Sequence, residues 1–132
     1  MVKKTVQKEK EAAECEGAMV CSTIRDILVQ AEKKFGAEDA IRYKGHKKEI
    51  ITKSYTQLKE DSAAFSGVLR EWGMDGRHIA LTGPTSYEWI VSFFGIVDSG
   101  SIAVPLDVSL PADEMCDLIN RSDAEVFVMD EA

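Results

Sequence analysis

His78–Asp107, HIALTGPTSYEWIVSFFGIVDSGSIAVPLD, is the stretch that decides the fold. It reads as strand, tight turn, apolar helix, tight turn, strand. His78–Thr82 is an apolar run without period-2 alternation, the pattern of a strand covered on both faces. Gly83-Pro84 breaks it. Thr85-Ser86-Tyr87-Glu88 then fits a capping box, in which a hydroxyl caps the first free amides and Glu88 reaches back. Apolar residues run all round the next turns (Tyr87, Trp89, Ile90, Val91, Phe93, Phe94, Ile96, Val97), so this helix is expected to be enclosed on several sides. Ser99-Gly100 ends it, Ser101–Val104 is a second apolar run, and Pro105 stops that run. Two strands joined through one helix are most simply parallel, with a right-handed crossover.

On the N-terminal side, residues 1–21 read as a charged tail, either a frayed helix or disordered. Lys3, Lys4, Lys8 and Lys10 mix there with Glu9, Glu11, Glu14 and Glu16, and little is available to bury. Ser22 is expected to cap an amphipathic helix with Ile24, Ile27, Leu28, Ala31 and Phe35 on one face and Gly36 at its end. Ala40–Tyr43 and Ile50–Thr52 flank a lysine-rich turn and predict a hairpin. Its lysines suit an exposed edge, where charge discourages unwanted pairing. Ser54-Tyr55-Thr56-Gln57 forms another capping box. It opens a helix with Leu58, Ser62, Phe65, Leu69 and Trp72 in register, closed by Gly73.

On the C-terminal side, Leu106–Leu110 is a loop, and Pro111 with Asp113 and Glu114 opens a helix carrying Met115, Leu118 and Ile119. Asn120–Asp123 turns the chain into a last apolar strand, Glu125–Met129. The order is helix, hairpin, then helix–strand three times. This predicts an α/β, doubly wound, mostly parallel sheet with helices on both faces and an N-terminal β-hairpin.

The 132 residues carry a formal net charge of −7, which argues against non-specific nucleic-acid binding. No window approaches the ~18–20 unbroken apolar residues of a membrane span. The three cysteines (Cys15, Cys21, Cys116) lack CxxC spacing, and with His46 and His78 they make no metal site. A reducing cytoplasm is the expected compartment.

Ligands of open α/β sheets gather at the carboxyl ends of the strands. Those ends are Thr82–Ser86, Pro105–Ser109 and whatever follows Met129. The first has helix-N-terminal amides and hydroxyls that could hold an anion, but it reads first as a short βα turn with a capped helix. The chain has neither GxGxxG nor GxxxxGK[ST]. Neither histidine has a proton-transfer partner nearby in sequence, Asp107 at a strand end reads as a cap or a ligand contact, and Trp89 and Phe93 read as core or, if one is functional, as the lining of an apolar pocket. No catalytic constellation is present.

The run Ser54-Tyr55-Thr56-Gln57-Leu58, then Leu69…Gly73, then Gly76…His78-Ile79-Ala80-Leu81 resembles the opening of the adenylate-forming (AMP-binding) enzymes. Ser86-Tyr87-Glu88-Trp89, Gly95…Ser99-Gly100, Val104-Pro105-Leu106-Asp107 and Leu110-Pro111…Glu114 resemble the long-chain fatty-acid–CoA ligase (acyl-CoA synthetase) branch. Arg77-His78 departs from the family's usual Asp followed by Arg or Lys. The resemblance covers about residues 22–131.

It implies that residues 22–132 are the first α/β portion of a larger N-terminal domain, truncated before the phosphate-binding loop. The parent would use Mg and ATP to form an acyl-adenylate from a fatty acid and pass the acyl group to CoA. By the same resemblance, the loop of Asp107, Val108 and Ser109 lies on the CoA side. The nucleotide contacts and catalytic lysine belong beyond residue 132, so no catalytic, nucleotide-binding or metal residue carries over. This chain alone is expected to be inactive and to bind none of these cofactors tightly. It is also expected to self-associate through an exposed sheet edge or apolar face. Other readings are a peptide-synthetase adenylation domain, another carboxylate–CoA ligase, or a non-catalytic flavodoxin-like nucleotide-binding or protein-interaction module.

Overall fold

The computed structural model describes residues 19–130. Residues 1–18, most of the segment read as a charged tail, lie outside the described residues. The elements run α1 (Ile24–Phe35), β1 (Asp39–Lys44), β2 (Ile50–Ser54), α2 (Tyr55–Glu71), β3 (His78–Thr82), α3 (Tyr87–Asp98), β4 (Ile102–Pro105), α4 (Ala112–Arg121) and β5 (Ala124–Met129). β1 and β2 form an antiparallel hairpin. The other strands form a parallel sheet in the order β4-β3-β5. The chain steps from β3 to β4 on one side and then crosses back to β5 on the other. Right-handed crossovers therefore put α3 and α4 on opposite faces, which is the doubly wound arrangement.

β3 fills the bounds its sequence predicts, and Ile79, Ala80, Leu81 and Thr82 are all buried between the layers. The main core joins Leu69 of α2, Ile79 and Leu81 of β3 and Ile96 of α3, each at most 1% exposed. Burying side chains of this size is worth roughly 1.5–3 kcal/mol apiece. A second cluster joins Leu28, Leu58 and Tyr87, with Ile41 and Tyr43 of the hairpin packed against it.

α2 and α3 approach closely because small residues meet at their crossing. Ser62 and Ser66 are buried on α2, and Gly95 is buried on α3. A Cβ at Gly95 would stand 2.8 Å from Phe65 Cδ1 and 2.9 Å from the Ser62 carbonyl oxygen. Two arginines hold the C-terminal end of α3. Arg25 and Arg70 each donate Nη2–H to the Asp98 carbonyl at 2.6 Å, where a helix end carries unpaired carbonyls and partial negative charge.

Several local expectations are corrected. Thr23, not Ser22, caps α1, because only Thr23 has an acid three residues on; Asp26 returns a bond to the Thr23 N–H at 3.0 Å. Ser86, not Thr85, caps α3, with its Oγ accepting from Trp89 N–H at 3.1 Å, so Glu88 closes no box. Burial of Tyr87 in the first turn fixes this register. Trp72 is the cap residue beyond Glu71 and is 61% exposed, off the buried stripe. Finally, α3 is packed on several sides, against α1, α2, β3 and β4, as its sequence predicts, though incompletely: only Tyr87, Gly95 and Ile96 are buried, while Ile90, Val91, Phe93 and Phe94 remain half-buried.

The Ser54 box forms as read, with Gln57 N–H to Ser54 Oγ at 3.2 Å and Ser54 N–H to Gln57 Oε1 at 3.1 Å. β4 starts at Ile102 rather than Ser101. The Ser101 hydroxyl is drawn inward, 2.7 Å from Ser99 Oγ and 2.8 Å from the Met74 carbonyl. Gly100 can follow Ser99 because its φ of +87° suits glycine.

Candidate functional site

The parallel sheet brings three carboxyl ends to one edge of the molecule. Between those of β3 and β5, where the strand order changes direction, lies a shallow cavity of about 100 Å³. Gly83 and Pro84 form one wall, Met129 and Asp130 the other, and Ser86, Glu88 and Trp89 of α3 close the end. The Trp89 ring stacks on Phe93 with centroids 5.7 Å apart and planes 3° from parallel, so Trp89 serves both core and cavity. Its half-buried position was legible as core, and Asp130 at the mouth is the residue that follows Met129 at the third strand end.

The chemistry of this cavity does not suit polyphosphate. Its ionisable lining is Glu88 and Asp130, with no basic side chain. The capped N-terminus of α3 commits its Ser86 hydroxyl to Trp89 N–H. Drug-sized ligands fill pockets of roughly 300–1,000 Å³, several times this volume. This cavity by itself is therefore too small and too acidic to cradle the polyphosphate of ATP or CoA. The described residues also contain no group of three or more His, Cys, Asp and Glu placed to hold a metal.

The loop after β4 starts beside β3. Leu106 N–H donates to the Leu81 carbonyl at 2.8 Å, and Thr82 Oγ1 donates to the Leu106 carbonyl at 3.1 Å. Asp107 Oδ1 then accepts from Ser109 N–H at 2.8 Å and from Ser109 Oγ at 2.7 Å. These bonds hold the Asp107 carboxyl below its ordinary range. Asp107 thus shapes its own loop, as read, and leaves Val108 exposed at the tip. Asp107, Val108 and Ser109 stand together at the β4 end but do not line the cavity between β3 and β5.

The histidines take structural positions. His78 Nδ1–H donates to the Ser122 carbonyl, joining β3 to the turn before β5, and His46 sits exposed in the hairpin turn. Cys21 and Cys116 are free thiols. No helix among the described residues is long and apolar enough to cross a membrane.

A parallel sheet wound in both directions, with its loops at one edge, is the doubly wound α/β architecture, which gathers ligands at the carboxyl ends of its strands. Residues 28–132 match the AMP-binding enzyme family, and the chain belongs to that family. A D-alanine–D-alanyl carrier protein ligase of Bacillus anthracis is 34% identical over 76 residues, 57% of this chain and 15% of the relative. Klebsiella oxytoca NpsA, solved with 3-hydroxyanthranilyl-AMSN, superposes with a TM-score of 0.74 at 18% identity, covering 85% of this chain and 22% of that one. A fatty acid AMP ligase from Legionella pneumophila superposes with a TM-score of 0.72 at 20% identity, covering 83% and 20%. The two superpositions establish the adenylate-forming fold. The chain spans about 15% of the length of the curated relatives it matches.

Proposed function

We propose that residues 22–132 are the first α/β portion of an ATP-dependent, AMP-forming ligase. The parent activates a carboxylic acid as an acyl-adenylate and passes the acyl group to a thiol. The family match over residues 28–132 carries this reading. The small, acidic cavity at the β3 and β5 ends supports its corollary that this chain alone forms no adenylate.

For the acid we favour a long-chain fatty acid, with CoA as acceptor. The Val104-Pro105-Leu106-Asp107 and Leu110-Pro111…Glu114 segments support this choice. The Asp107–Ser109 loop, self-braced and with Val108 outward, is the segment we assign to the acceptor side. A second reading is an adenylation domain that loads a carrier protein. It is favoured by the carrier-protein ligases at 34% identity and by a structural neighbour described as an artificially fused adenylation–PCP di-domain.

ATP–pyrophosphate exchange decides between them. A longer polypeptide carrying this segment should exchange label with a fatty acid present and should consume CoA. Exchange with an amino or aryl acid, followed by loading of a carrier protein, would establish the second reading. Exchange by the 132-residue chain itself would refute the corollary.

A further inference from the structure

We propose that the tip and outer face of the β1–β2 hairpin dock on an anionic lipid bilayer. Charge is segregated onto this element. Residues 39–54 carry five Lys or Arg and two acids, a net of +3 in a chain whose formal net charge is −7, so the remainder carries −10. Strand alternation then sorts the side chains by face. Ile41 and Tyr43 turn inward onto the cluster of Leu28, Leu58 and Tyr87. Arg42 opposite Thr52 and Lys44 opposite Ile50 are the outward pairs, and all four residues are exposed.

The cations at the tip are unpaired. Arg42 meets Asp39, but Lys44, Lys47 and Lys48 make no ion pair among the described residues. Glu49, the one acid of the turn, lays its carboxylate over Gly45 instead. The strand from Asp39 to Lys44 spans about 17 Å. That is twice the Debye length of about 8 Å at physiological salt, so Asp39 does not cancel the tip. Protection of a sheet edge does not account for Lys47 and Lys48, because the ladder ends at Lys44 and Ile50 and the turn beyond has no edge to guard. The independent observation is Ile50, which is 64% exposed directly opposite Lys44. A bilayer interface accepts lysines and an apolar side chain together, without a shaped pocket, whereas a plain polyanion takes only the charge.

The test mixes the full chain with vesicles of phosphatidylcholine containing about one-third phosphatidylserine, read by co-sedimentation and backbone amide signals. Binding is expected at millimolar lipid, with the signals of residues 44–50 broadening first. It should vanish on pure phosphatidylcholine and at about 0.5 M salt. Lys44→Gln and Lys47→Gln should each weaken partitioning about five-fold, the factor one basic residue contributes near an anionic surface. Lys48→Gly should do the same without lowering the melting temperature, because φ at Lys48 is +64° and glycine relieves that strain. Ile50→Ser should weaken binding about three-fold at unchanged charge. Arg121→Gln, on α4, should leave it unchanged. Absence of co-sedimentation with the anionic vesicles would overturn the proposal, as would undiminished binding by the triple lysine variant. Equal binding to polyglutamate, with no effect of Ile50→Ser, would overturn it in favour of an acidic macromolecule.

Discussion

Tyr87 donates its phenolic proton to the Asp61 carboxylate across a 2.6 Å hydrogen bond, joining the first turn of α3 to the middle of α2. The ring is 6% exposed, stacks on Tyr43 of the hairpin at 6.0 Å, and carries Lys53 Nζ 5.0 Å above it. One side chain thus ties hairpin and both helices together. Burial, reinforced by the bond to Asp61, pushes the phenol well above its ordinary value.

Tyr87→Phe keeps the ring and loses the bond. Because Asp61 is exposed and can be resolvated, the expected loss is about 1 kcal/mol by urea denaturation. The folded phenol titrates higher than the unfolded one, so the contribution is complete below the ordinary tyrosine value of about 10. It is lost as pH rises toward the folded value. The stability gap between wild type and variant should therefore be constant at neutral pH and close in strong alkali.

Gly95→Ala and Gly67→Ala should move stability in opposite directions. Alanine at 95 drives a methyl into Phe65 and the Ser62 carbonyl, an overpacking expected to cost about 1–3 kcal/mol. Gly67 lies in the same α2 helix with nothing within 4 Å of an added Cβ, so alanine there should add about 0.5–1 kcal/mol. Paired thermal melts check both.

Asp107 should titrate below the usual aspartate value of about 3.9, because Ser109 donates twice to its ionised form. A depressed folded value means the loop bonds are present above that ordinary value and disappear as pH falls through the folded one. The Ser109 amide signal should follow the same acid transition in an NMR titration, and Asp107→Ala should remove it.

Self-association is expected at high concentration. α4 has no buried residue, Ile102 at the sheet edge is 48% exposed and Met129 is 60% exposed. β5 presents an open edge. Sedimentation should show concentration-dependent oligomers that weaken in Met129→Lys. A clean monomer at high concentration would contradict this.

The sheet was legible in the sequence because its strands are short apolar runs punctuated by Gly83-Pro84, Ser99-Gly100 and Pro105, where local chemistry and burial agree. The Ser54–Gln57 box was legible for the same reason. Legibility failed where two adjacent hydroxyls compete. Ser22 or Thr23, and Thr85 or Ser86, could each start a helix. At α3 the choice fell to burial of Tyr87, which is a tertiary effect. Trp72 was misplaced because spacing continues a stripe past the residue where the helix stops. The cavity between β3 and β5 needs Gly83, Trp89 and Asp130 side by side, and only the parallel register supplies that. Asp107 was readable as a loop brace because its two bonds are local.

The most direct test of the central claim, that this family segment holds no complete nucleotide site, is a thermal-shift titration with Mg-ATP, AMP, CoA and FMN. A ligand that binds only the folded chain stabilises it by RT ln(1 + L/Kd), where L is the free ligand concentration, so the melting temperature climbs with ligand concentration. The account predicts no concentration-dependent shift with any of the four. A rise of several degrees that grows with ATP or FMN concentration would contradict it and establish a self-sufficient nucleotide binder.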